Sequence, residues 1–133
     1  MKRILSIIFI SILVLTGCGK PASNKDIIAG HYNTIMKTND TSVVRSELSE
    51  LQNLANDSSL TEQDRMFAKY SYNVAYGIAR LSLSGESISA FDFPEIEILS
   101  ETVDEVKKGN LSINETMVSE SSKFVQNVEK FLK

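Results

Sequence analysis

Residues 62–83 read EQDRMFAKYSYNVAYGIARLSL, and their spacing decides the fold. Phe67, Tyr70, Val74, Ile78 and Leu81 recur at helical intervals and form one apolar stripe. Tyr72, Tyr76, Ala79 and Leu83 form a second, and Ala68, Ala75 and Gly77 keep much of the remaining surface small. A helix apolar on most sides belongs in the middle of other helices. Gly77 costs about 1 kcal/mol relative to Ala inside a helix, which implies a neighbour packed close against it. Thr61 with Asp64 marks the start of this helix, and Ser84-Gly85 supplies a glycine C-cap.

Working outward, the flanking segments repeat the helical period. Upstream, Ser23 and Asp26 resemble a capping box ahead of a stripe of Ile28, Tyr32, Ile35 and Met36, which runs to about Thr38. Asp40 or Thr41 caps a second helix with Val44, Leu48, Leu51 and Ala55 in register, ended by Asn56-Asp57-Ser58-Ser59. Downstream, Pro94 suits the first turn of a helix whose stripe is Ile96, Leu99, Val103 and Val106. Lys107 and Lys108 complement its C-terminal dipole and Gly109 stops it. Ser112 with Glu115 then boxes a last helix, lined by Met117, Ser121, Phe124, Val128 and Phe131, with Val118, Val125 and Leu132 beside them. No segment alternates as a half-buried strand does. The expected fold is all-α: a small bundle of four main helices plus a short N-terminal one, since short links favour antiparallel neighbours. An open stack of helical hairpins is the alternative, although no 34-residue repeat is visible.

The N-terminus has a different character. Met1-Lys2-Arg3 is positive, Ile4 to Leu15 is apolar but for Ser6 and Ser11, and Thr16-Gly17 is small. A helix crossing the bilayer needs roughly 20 apolar residues, so this run fits an export signal rather than a permanent span. Leu15-Thr16-Gly17-Cys18 resembles the lipobox of bacterial lipoproteins, a likeness confined to about the first 20 residues. The resemblance implies that residues 1–17 are a signal peptide removed by the lipoprotein signal peptidase, which reads Leu15, Thr16 and Gly17. It also implies that Cys18 carries a diacylglycerol (and often a further N-acyl chain such as palmitate). Cys18 is the one cysteine of the chain, so no intramolecular disulfide is available to an exported domain. Two or more acyl chains hold a protein to a bilayer stably without spanning it. Residues 18–23 then form a short tether, and 24–133 a single helical domain.

Gly19 is not the acidic residue that typically follows the cysteine of lipoproteins kept at the inner membrane. The expected location is therefore the outer membrane facing the periplasm, or the cell surface in a host with one membrane. Without Lys2 and Arg3 the 14 basic residues become 12 against 17 acidic, a net charge of −5. That balance disfavours nucleic acid and anionic membrane surfaces as partners.

Candidates for chemistry are few. His31 is the one histidine, and with no nucleophile or metal-ligand cluster around it, it reads as a solvated or core-edge residue. Phosphate-binding glycine loops and EF-hand spacing are absent from the sequence, and no cofactor or metal is expected. Between Glu86 and Glu105 the chain carries seven carboxylates and no Lys or Arg. Glu97, Glu101 and Asp104, with Glu105, share a face of the fourth helix away from its apolar stripe. This face is either a solvated surface or a docking surface for a basic partner. Phe91 and Phe93 flank Asp92 in the preceding loop, as a plug over the helix ends or as exposed anchors for a partner. Tyr70, Tyr72 and Tyr76 read as core and interhelix hydrogen-bonding residues.

The expected function is non-enzymatic: a lipid-anchored protein-interaction module of the cell envelope, an adaptor or an accessory comparable in size and anchoring to the secretion pilotins. The alternatives are an immunity or phage- and plasmid-exclusion lipoprotein, whose acidic face would cover a basic toxin, and a small-ligand carrier or hydrolase.

Overall fold

The computed structural model describes residues 23–89 and 91–133. Leu15, Thr16, Gly17 and Cys18, on which the lipoprotein reading rests, lie outside the described residues. Five helices follow one another: α1 (Asn24–Lys37), α2 (Thr41–Ala55), α3 (Glu62–Leu83), α4 (Glu95–Lys108) and α5 (Glu115–Phe131). The described residues contain no strand. The fold is all-helical, as the spacing predicts. The N-terminal helix is not the short one, however: α1 has 14 residues, the same as α4. Its stripe continues to the cap because Tyr32 and Ile35 are buried in the core, so packing holds its last turn.

The caps account for most boundaries. The side chains of Ser23, Asp40 and Thr61 accept the backbone N–H groups of Asp26, Ser42 and Asp64 at 3.1, 2.9 and 3.1 Å. Each satisfies one of the orphan donors of a helix N-terminus. Pro94 has helical dihedrals and needs no N–H there. Gly109 closes α4 at φ +85°, a left-handed conformation that a side chain would strain, and Asn110 N–H returns to Glu105 O at 2.9 Å.

One boundary differs from expectation. Asn114, not Ser112, caps α5, accepting Met117 N–H at 2.9 Å. Ile113 explains the shift. It is fully buried, and Gln63 grips both its N–H (3.2 Å) and its carbonyl (2.7 Å), which leaves Asn114 as the residue poised over the first turn.

α3 is the hub. It packs against α1, α2, α4 and α5, while α1 also touches α2 and α4. Asn24 donates to Asp64 at 3.2 Å, and Gln63 holds Ile113, so α1, α3 and α5 all begin at one end. Phe93, ahead of α4, packs on Phe124 and Phe131 near the end of α5, so α4 begins at the opposite end. Ten residues of α3 are buried, Phe67, Tyr70 and Val74 among them. At about 1.5–3 kcal/mol for each fully buried large apolar side chain, this helix dominates the favourable side of folding.

Gly77 has the neighbour its cost implies. A Cβ added there would sit 2.3 Å from Phe124 Cε2, inside any permissible contact, so only glycine lets α5 approach so closely. The same seam carries hydrogen bonds from buried Asn73 to Ser121 (2.9 Å) and from Tyr76 to Glu129 (3.0 Å). Arg80 completes it with a two-point grip on Glu129, each bond 3.1 Å long.

Candidate functional site

α4 carries the residues that the sequence singles out. Successive helical residues rotate by about 100°, so Glu97, Glu101 and Asp104 fall within roughly 60° of one another. All three are exposed, opposite the buried Leu99, Val103 and Val106, so the expected acidic ridge exists. The ridge is not uniform. Lys108 Nζ lies 3.2 Å from Asp104 and 3.5 Å from Glu105, and Asn110 donates to Glu105 at 2.9 Å. These contacts raise the affinity of the Lys108 amine for its proton, chiefly through the hydrogen bond to Asp104. The C-terminal half of the ridge is thus locally balanced. Glu97 and Glu101 have no ion pair among the described residues, so their charge faces solvent.

Phe91 and Phe93 take opposite roles. Phe91 is 93% exposed, whereas Phe93 is only 6% exposed and lies edge-on to Phe124 (6.0 Å between ring centroids) and Phe131 (5.3 Å). Phe93 is therefore a plug, turned into the bundle rather than exposed for a partner. The loop explains the split. Ser89 N–H and hydroxyl both bond the Asp92 carboxylate, and this local turn directs one aromatic outward and the other inward.

Ile98 lies off the apolar stripe, so helical spacing alone does not single it out. It is 67% exposed, between Glu97 and Glu101 on the chain. Its one sequence signal is an isoleucine at the margin between the apolar stripe and the acidic face of an otherwise well-patterned helix.

Grooves run along both flanks of α4. Toward α1 a groove of 340 Å³ is lined by Tyr32, Met36, Glu101, Asp104 and Lys107. Tyr32 donates to Ser100 at 3.1 Å beneath it, and burial pushes the Tyr32 hydroxyl up from its ordinary 10.0. Toward α5 a groove of 360 Å³ has Leu99 and Phe124 in its lining, with Ile98, Glu95, Glu120 and Lys123. Glu120, contributed by α5, belongs to this acidic surface and could not be placed from sequence alone.

The remaining polar candidates are structural. His31 Nδ1 meets the Glu47 carboxylate, joining α1 to α2 at a half-buried site. Tyr70 is buried in the core, and Tyr72 stacks on Tyr76 at 5.9 Å. A third groove of 470 Å³ between α2 and α3 has Arg45, Arg80 and Tyr76 beside Val44, Leu48 and Leu83. Arg80 there is already committed to Glu129, whose carboxyl it holds below the ordinary 4.5. The other carboxyl held low, Asp57, owes its shift first to the Ser59 hydroxyl and lies at the surface.

Among the described residues no group of three or more His, Cys, Asp and Glu is placed to hold a metal ion, and no helix is long and apolar enough to cross a membrane. The chain matches no family model, no curated protein and no solved structure.

Proposed function

We propose that this chain is a lipid-anchored, non-catalytic docking module of the bacterial envelope, a five-helix bundle that captures a basic protein partner on the α4 ridge. One observation carries the reading. Glu97 and Glu101 stand exposed without ion pairs around Ile98, a large apolar side chain left 67% exposed. Charge around an apolar anchor is the pattern of a protein-binding surface, in which the charges steer encounter and the apolar residue supplies contact energy.

The anchor follows from the lipobox likeness. Cys18 would carry the acyl chains and hold the domain a short tether away from the bilayer, which keeps the partner search at the envelope. The five-helix packing supports a bundle over an open stack. α1 reaches α4, and α5 returns to α3, contacts that a simple row of hairpins does not make.

Two experiments test the reading. Mass spectrometry of the protein purified from membranes should find Cys18 acylated and residues 1–17 removed, and Cys18→Ser should release the protein from the membrane fraction. For the ridge, Glu97→Lys with Glu101→Lys should abolish capture of the native partner without unfolding the domain. Capture that survives both reversals would refute the ridge.

A further inference from the structure

Resting on the reading of α4 as the docking ridge, we infer that the occupant is a basic amphipathic helix of the partner protein, seated in the groove between α4 and α5. The two helices make little direct contact: each leans on α3, and Phe93 closes the space between them only near the end of α5. Elsewhere the groove lies open for 360 Å³, with apolar Leu99 and Phe124 in its lining and Ile98 at its lip. These three side chains come from both walls and match the one-sided apolar stripe of a helix, with anchors at i, i+3 or i+4, and i+7.

The backbone selects a helix over an extended segment. Both walls are helices whose N–H and C=O groups are already paired within themselves, so no sheet edge is offered for strand addition. An occupant must satisfy its own backbone, as a helix does.

The charge selects a basic one. Glu95 of α4 and Glu120 of α5 line the groove from its two walls, whereas Glu101 borders the groove on the other flank of α4. Neither Glu95 nor Glu120 has an ion pair among the described residues, and Lys123 is the one cation in the lining. Lys and Arg flanking the apolar stripe of the occupant would meet these carboxylates. The same field works against the other candidates: a second copy of this acidic chain and an anionic bilayer surface both bring like charge to it.

The test uses the full-length acylated protein in nonionic detergent, with a photo-cross-linking residue replacing Ile98. In a control protein the same residue replaces Glu50, exposed on α2. Each is offered an equimolar mixture of two helical peptides of about 14 residues, one of Leu and Lys and one of Leu and Glu, with identical apolar stripes. Cross-linking at position 98 should favour the Lys peptide by about ten-fold or more, while the preference at position 50 stays within about two-fold. Glu95→Lys with Glu120→Lys should remove the preference at 98, and Ile98→Glu should cut capture of the native partner. Equal yields of the two peptides at 98, or the same preference at 50, would overturn the inference. If the preference is absent while Glu97→Lys/Glu101→Lys still loses the native partner, the groove falls and the ridge stands.

Discussion

Toward α3, α5 offers Ser121, Phe124 and Glu129; toward α4 it offers Glu120, Lys123 and Asn127. The first seam is closed by shape: a glycine admits a phenyl ring, a buried amide bonds a buried hydroxyl, and a two-point ion pair clasps the end. The second is left open, and a groove with an exposed isoleucine at its lip takes the place of packing. One helix thus serves as a structural partner on one side and as the wall of a binding groove on the other. Where a sequence places small residues and matched hydrogen-bond partners it builds an interface within the chain. Where it leaves unpaired carboxylates around apolar side chains it leaves an interface for something else.

The largest expected effect comes from breaking the closed seam. Phe124→Ala removes the ring from Gly77 and from Phe93 together, and should cost about 3–5 kcal/mol in chemical denaturation. Because Phe124 also lines the open groove, this variant should damage partner capture as well. Gly77→Ala tests the same contact from the other side. Ala favours the helix by about 1 kcal/mol, but its Cβ collides with Phe124, and overpacking costs about 1–3 kcal/mol. A net loss of about 1 kcal/mol is expected, relieved when Phe124→Leu is added. Additive losses in that double variant would show that the two residues do not meet.

Acid probes the clasp more gently. Arg80, then Tyr76, hold the Glu129 carboxyl below its ordinary 4.5, so the folded pKa lies under the unfolded one. Its contribution is therefore present above about pH 4.5 and fades as pH falls through the folded value. Arg80→Ala should lower the thermal midpoint slightly near neutrality, and the gap from the parent protein should close on acidification. The smallest stability effect belongs to the open seam. Ile98→Gln should change unfolding free energy by no more than about 0.5 kcal/mol, as expected of an exposed site, while weakening partner capture. A marked loss of stability would mean that Ile98 is part of the fold rather than of the surface.

Local signals carried most of the fold. Ser23, Asp40 and Thr61 cap the helices they announce, and the all-round apolarity of residues 62–83 marks the hub correctly. Ser112 with Glu115 announces α5 two residues too early, because Asn114 is an equally competent cap. Burial of Ile113 decides between them, and burial is a tertiary fact. Phe91 and Phe93 sit two residues apart in a loop without periodicity, so only the turn around Asp92 assigns them to opposite sides. The acidic ridge was legible from spacing on α4 alone. Its pairing with Lys108 and its extension to Glu120 were not, since the first depends on rotamers and the second on which helices flank a groove.

Whether the α4 ridge captures a protein partner is decided by cross-linked recovery from native membranes. Full-length protein, confirmed as acylated at Cys18, would be compared with its Glu97→Lys/Glu101→Lys variant, and bound proteins identified by mass spectrometry. One stoichiometric envelope partner is expected with the parent protein and none with the variant, with thermal midpoints unchanged. Equal recovery from both proteins, or no partner above background from either, would contradict capture by the ridge.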